Sequence, residues 1–171
     1  MAKMNGVVTG QVVSTDDPDQ QGRVQVSLPF LGGQNESYWA PVATMMSGGG
    51  RGSWFMPKVG DEVLLAFNQD DVGHPYIVGF LWNGKDSPPT NDVNMRVIQS
   101  VNGHQIQLYD PPVEGGDPGR IRLQFARGGG AVNIIEINNT SITITSDSAI
   151  SIQAPTVTIN QRPVVWGGGP I

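Results

Sequence analysis

Three acids crowd one turn of this sequence. Asp16, Asp17 and Asp19 lie in STDDPDQQ, and closely spaced carboxylates are what a calcium ion takes as ligands. The stretch lacks the other ligands of a calcium loop and its glycine at the required offset, so it reads as a solvated turn shaped by Pro18. SGGGRG at 47–52 has the glycines of a phosphate loop, but no Gly-Lys-Ser/Thr and no following helical pattern. It reads as a flexible surface loop, suited to gripping a neighbour. His74 and His104 stand at expected strand starts without legible partners for metal binding or base catalysis. Glycoside hydrolysis needs two carboxylates held across a sugar. No such pairing is legible among Glu36, Glu62, Glu114 and Glu136. Trp39, Trp54 and Trp82 have faces on which bases or sugars stack. Without interleaved Lys and Arg they read as core or subunit packing. No catalytic, cofactor-binding or metal residue is assigned, and no enzyme is expected.

The chemistry that remains is burial. Residues 139–160 read NTSITITSDSAISIQAPTVTIN, with Asp147 as the one charged residue. Apolar pairs recur at Ile135/Ile137, Ile142/Ile144, Ile150/Ile152 and Val157/Ile159, at spacings of seven, eight and seven. This is a short internal repeat of one strand plus one corner. Between the apolar residues stand Thr, Ser, Asn and Gln, so each strand has a greasy face and a wet one. The run Val132-Asn133-Ile134-Ile135 fits two registers.

The elements that must position these pairs are all strands. The chain has 171 residues, with 23 glycines, 13 prolines and no cysteine. No window carries an i, i+3, i+4, i+7 apolar stripe. Runs at 6–13, 22–28, 37–46, 61–68 and 75–82 suggest a five-stranded barrel of OB type. The polar stretch NGKDSPPTNDVN at 83–94 reads as a linker. RVIQSV, HQIQLYD and RIRLQF then alternate. The expected organisation is a barrel at 1–82, a linker at 83–94, a needle at 95–163 and an apex segment at 164–171. Residues 1–94 hold ten acids and five bases, residues 95–171 five of each. With no basic face, nucleic acid is not an expected ligand. The N-terminus lacks the apolar run of a signal peptide, and no stretch is long and apolar enough for a membrane helix.

A single sheet with one greasy side requires a second layer, and the sequence offers no helix to supply it. Other copies of the same chain are the remaining source. Short pairs with frequent corners favour a three-chain prism over a two-chain sandwich. The residues expected at its axis are Ile135, Ile137, Ile142, Ile144, Ile150, Ile152, Val157 and Ile159. Corners are expected at 146–149 and 154–156.

These residues also carry a resemblance. DPDQQGRVQVSLP (17–29), YWAPVA (38–43), GSWFMPKVGDEVLLAF (52–67) and HPYIVGFLWNGKDSPP (74–89) resemble the OB domain of contractile-tail spike proteins. That family comprises phage baseplate assembly protein V and the spike part of VgrG proteins. RVIQSVNGHQIQLYD (96–110) resembles the opening of their needle. The resemblance implies an all-β fold: a five-stranded OB barrel, then an intertwined triple-stranded β-helix. It implies a homotrimeric central spike of a phage tail baseplate that pierces the host envelope when the sheath contracts. A spike of a bacterial contractile or type VI system is the alternative, and a carbohydrate-binding adhesin on a trimeric stalk a remoter one. The implied partners are a hub protein at the barrel end and a separate PAAR-like tip protein at the C-terminal end, where Val164, Val165 and Trp166 would touch it. Contact with the target envelope would be transient. The implied location is the virion, after synthesis in the host cytoplasm. Some relatives end in a His-x-His apex that binds iron; here no histidine follows His104, and no metal or other cofactor is expected.

Overall fold

A computed structural model describes residues 6–29, 37–69 and 71–164 of the chain. The chain divides into two compact units, Met1–Pro88 and Pro89–Ile171. Both are built from strands.

In the first unit, apolar residues every second position line one side of each strand. β1 (Val8–Ser14), β2 (Arg23–Ser27), β3 (Ser37–Pro41), β6 (Glu62–Asn68) and β7 (Asp71–Phe80) form one antiparallel sheet in the order β3-β2-β1-β6-β7. A parallel bridge from Val42 to Ile77 closes it, with the Ala43 amide donating to the Ile77 carbonyl at 2.8 Å. Val12, Val24, Val26, Ala40, Val63, Leu65 and Ile77 fill the closed interior. Gly10 is required there: a Cβ would stand 2.7 Å from Leu65 Cδ1 and 2.9 Å from the Ser27 carbonyl. This is the expected OB-type barrel, with two adjustments. The run expected over 37–46 stops pairing with β2 at Pro41, because the next residues turn to close the barrel against β7. SGGGRG, expected to lack regular structure, holds a small hairpin of β4 (Ser47–Gly48) and β5 (Arg51–Gly52).

In the second unit, β8 (Met95–Gln99), β9 (Gln105–Tyr109), β10 (Arg120–Arg127), β11 (Gly130–Ile137) and β12 (Ile142–Thr145) run as an antiparallel meander in the order β12-β11-β10-β9-β8. The loop between β9 and β10 includes a 3-10 turn at Val113–Gly115 and ends at Gly119, whose φ is +88°. Beyond β12, β13 (Thr158–Ile159) and β14 (Arg162–Pro163) form a separate hairpin. Its turn residues Asn160 and Gln161 have φ of 49° and 63°, the sign pattern of a type I′ turn.

Candidate assembly surface

Directly paired residues of an antiparallel sheet point to the same face, so the register of the second unit assigns its faces. Ile98 stands opposite Ile106, Ile106 opposite Leu123, Leu123 opposite Ile135 and Ile135 opposite Ile144. The neighbouring row on that face runs Arg96, Leu108, Ile121, Ile137, Ile142. Two apolar rows therefore cross five strands. Their nine apolar side chains are between 41% and 72% exposed. An apolar groove of about 630 Å³ runs along the first row, lined also by Phe125, His104 and Ile150.

The opposite face is polar and better covered. One row there runs Val97, Gln107, Arg122, Glu136, Thr143. Arg120 and Arg122 flank Glu136 at 3.9 and 3.7 Å, and the Arg120 guanidinium lies 4.7 Å from the centre of the Tyr109 ring. Gln105 accepts from Gln107 and from Gln124. The long polar side chains cover one another, whereas among the described residues the isoleucines and leucines of the first face stay open. Such an open apolar face marks a place where another surface docks.

Of the residues expected at an axis, Ile135, Ile137, Ile142 and Ile144 share this face. The joint between those two pairs is a hairpin turn, not a prism corner. Asn138 Oδ1 accepts from the Thr140 and Ser141 amides, which folds the second pair back onto the first. Ile150 lines the groove from outside any strand, and Ile152 is exposed and also outside one. Val157 and Ile159 belong to the terminal hairpin, where the Val164 amide donates to the Val157 carbonyl at 2.7 Å. Val164 is thus part of that hairpin; Val165 and Trp166 lie outside the described residues. Ile98, Ile106, Leu108, Ile121 and Leu123 complete the face and were absent from the expected set. Their signal was the alternation of IQSV, HQIQLY and RIRLQF.

The candidate chemical residues resolve into structure. Asp17 is not solvated: its side chain is 6% exposed and is bound by Arg23, whose Nη2 lies 2.7 Å from Oδ1. The Asp17 carboxylate also accepts from the amides of Asp19, Gln21 and Arg23. The Arg23 side-chain hydrogen bond holds the Asp17 carboxyl well below the usual carboxylate range, and Asp17 in turn raises Arg23. Arg23 also reaches Asp19. Two of the three acids that suggested calcium, Asp17 and Asp19, are thus engaged by Arg23. His74 bonds Asp71 at 2.8 Å, and Asp71 is lowered by the Gly73 amide first and His74 second. His104 Nδ1 accepts from the Ala126 amide at 3.1 Å while its ring stacks on Phe125 at 4.4 Å. Glu62 lies in β6, Glu114 in the 3-10 turn and Glu136 between two arginines, while Glu36 lies outside the described residues. Among the described residues no group of acids and histidines is placed to hold a metal ion. Trp54 and Trp82 are not core residues: they are 73% and 66% exposed.

Comparison with known proteins agrees with both halves of this description. Residues 8–82 match the type VI secretion system/phage-baseplate injector OB domain. Residues 95–165 match the phage baseplate V C-terminal trimerisation domain, which covers the whole open sheet. The chain belongs to the contractile-tail spike family. The relatives it resembles include the type VI secretion system spike protein VgrG1a of Pseudomonas aeruginosa, 26% identical over 141 residues, or 78% of this chain and 21% of that one. VgrG5 of the same organism is 37% identical over 87 residues, 48% of this chain and 11% of its own. VgrG3 of Vibrio cholerae is 30% identical over 98 residues, 54% of this chain and 10% of its own. The chain spans about a fifth or less of the length of these spike proteins.

Proposed function

We propose that this chain is the central spike of a contractile phage tail. It works as a homotrimer that is driven into the host envelope when the sheath contracts, and its role is mechanical rather than catalytic. The observation that carries this reading is the open apolar face of the second unit. Among the described residues, nine apolar side chains in two rows of a five-stranded sheet stay open, in the stretch that matches a trimerisation domain. Three such faces brought together form one dry core. Burying a single Ile or Leu contributes about 1.5–3 kcal/mol before ordering costs. Cross-strand hydrogen bonding around that core gives the stiffness that puncture requires.

In this reading Ile135, Ile137, Ile142, Ile144, Ile150, Ile152, Val157 and Ile159 turn inward in the trimer. Ile150 and Ile152 gain strand partners only from other copies. The barrel joins a hub protein, and the C-terminal segment with Val164, Val165 and Trp166 meets a PAAR-like tip. The organisation remains a barrel at 1–82, a joint at 83–94, a needle at 95–163 and an apex beyond. The assembled spike resides in the virion.

A second reading, the spike of a bacterial type VI system, draws on the names of the relatives above, which are type VI spike proteins. Native mass spectrometry of the purified chain tests the shared core of both. A trimer at micromolar concentration is expected, and a folded monomer rejects it. Antibody labelling of intact phage particles tests the phage reading. Label at the distal end of a phage tail tube is expected, and label on the sheath or capsid overturns the assignment.

A further inference from the structure

The open apolar face of the second unit changes character at one end. One rung beyond the row of Ile98, Ile106, Leu123, Ile135 and Ile144 stand Ser100, His104, Phe125 and Asn133. Phe125 pairs directly with Asn133, and the bulge in β10 falls only after Phe125, so Asn133 keeps the face of Ile135. The His104 ring stacks on Phe125 with centroids 4.4 Å apart. The Ser100 amide donates to the His104 carbonyl at 2.9 Å. All four residues line the groove of about 630 Å³, and no charged side chain is part of that lining. Arg127 at the same end is engaged by Asp147.

The rung is rich in donors. The Ala126 amide donates to His104 Nδ1 at 3.1 Å. A backbone amide can only donate, so Nδ1 is the acceptor and the neutral ring carries its hydrogen on Nε2. Ser100 Oγ accepts from the His104 amide at 3.1 Å, which leaves its hydroxyl hydrogen to donate. Asn133 adds the two hydrogens of its Nδ2 and one acceptor oxygen.

From this rung we infer that the assembled needle holds a small monovalent inorganic anion, of the chloride type, on its three-fold axis. His104 Nε2–H and Asn133 Nδ2–H of each copy bind it. The inference rests on the trimer proposed above, and no single chain completes the site. Two arguments select an anion. The first is direction. A metal ion takes a bare ring nitrogen, whereas Nδ1 is occupied by the Ala126 amide and Nε2 carries a hydrogen. The second is burial. Closing three faces withdraws water from a rung with more donors than acceptors, and a buried donor without an acceptor is costly. One anion on the axis accepts from all the copies at once, through charge-assisted hydrogen bonds. The groove lining has no carboxylate to repel it. It also has no Lys or Arg to offset the desolvation of a dianion such as phosphate.

The test is anomalous diffraction from crystals of the full-length chain transferred into sodium bromide, with native mass recorded beforehand. The expected result is a bromide peak on the three-fold axis, within hydrogen-bond reach of His104 Nε2 from each copy. His104→Phe keeps a ring against Phe125 and removes the donor. Its crystals are expected to lose the peak while the native mass stays trimeric. Asn133→Ala is the second variant, should the first fail to assemble, and is expected to weaken the peak. In solution, chloride is replaced by gluconate, which is too large for the axis, at constant ionic strength. The trimer is expected to melt at a lower temperature in gluconate, and His104→Phe to melt equally in both salts. A trimer with only water or a metal ion on the axis at His104 overturns this inference and leaves the spike reading standing. So does a bromide peak without a melting difference, which is an adventitious ion only. A monomeric mass in the unsubstituted chain overturns both.

Discussion

Ile135 lies directly opposite Ile144 across the β11–β12 hairpin, and both side chains remain open on the same apolar face. Cross-strand pairs of this kind stabilise a sheet. Here the pair also presents a surface that water should not keep. The same holds for Ile137 and Ile142 one rung away.

Placing a charge in that rung is the direct test of the face. Ile144→Asp, repeated in three copies, sets unpaired carboxylates against a dry core at an effective cost of several kcal/mol each. The expected outcome is loss of the trimer in native mass spectra. Thr143→Lys on the opposite face, where Thr143 faces Glu136, keeps the trimer. If Ile144→Asp stays trimeric and equally heat-stable, the inward assignment fails.

Ile152 lies outside the strands of the isolated chain. Its expected order comes from other copies, so Ile152→Asp lowers trimer stability without altering the β8–β12 register. Hydrogen exchange reads both effects. Faster exchange across 146–156 with unchanged protection in β10 is the expected pattern, and unchanged exchange in both segments counts against it.

The acid response of the barrel follows from Asp17. Its folded-state pKa is depressed, chiefly by Arg23. A depressed carboxyl contributes stability that is fully present above the ordinary Asp range near about 4. That contribution fades as pH falls below it toward the folded value. Asp17→Asn removes this contribution, so the variant's barrel unfolds at lower temperature at pH 7. Wild type and variant converge in acid. Melting curves from pH 7 to pH 2 check the sign, and a gap that widens in acid refutes it.

Gly119 is held at φ +88°, and a Cβ there would sit 2.0 Å from the Tyr109 carbonyl oxygen. Neither strain nor clash is relieved by moving a flexible side chain, since the obstacle is backbone. Gly119→Ala is expected to cost about 1–3 kcal/mol. The loss should be confined to the second unit: protection falls in β9 and β10 while the barrel's core amides stay unchanged.

Leu65 sits fully buried in the barrel. Leu65→Ala is expected to cost about 2–5 kcal/mol. The barrel melts earlier while native mass remains trimeric, because the needle does not draw on that core. A monomeric Leu65→Ala chain would show that trimer formation depends on the barrel.

Alternation in GRVQVSL, DEVLLAF and RIRLQF was enough to name strands and to say which side chains share a face, because a period of two is a local property of the backbone. The pairing of isoleucines around polar residues likewise predicted an uncovered apolar face. The run 132–135 shows where local information stops. Either Ile134 or Ile135 suits the apolar side, and the choice is made across strands, where Leu123 and Ile144 receive Ile135 while Ile134 faces Gln124 and Thr145. The exposure of Trp54 and Trp82 and the pairing of Glu136 with Arg120 and Arg122 also depended on chain segments meeting in space, whereas the Asn138 turn and the Asp17–Arg23 pair each lie within one short segment. The sequence by itself determined strands, faces and the need for partners. Tertiary structure decided which strands pair, in what register, and which charges neutralise one another, because those energies belong to contacts that no single segment contains.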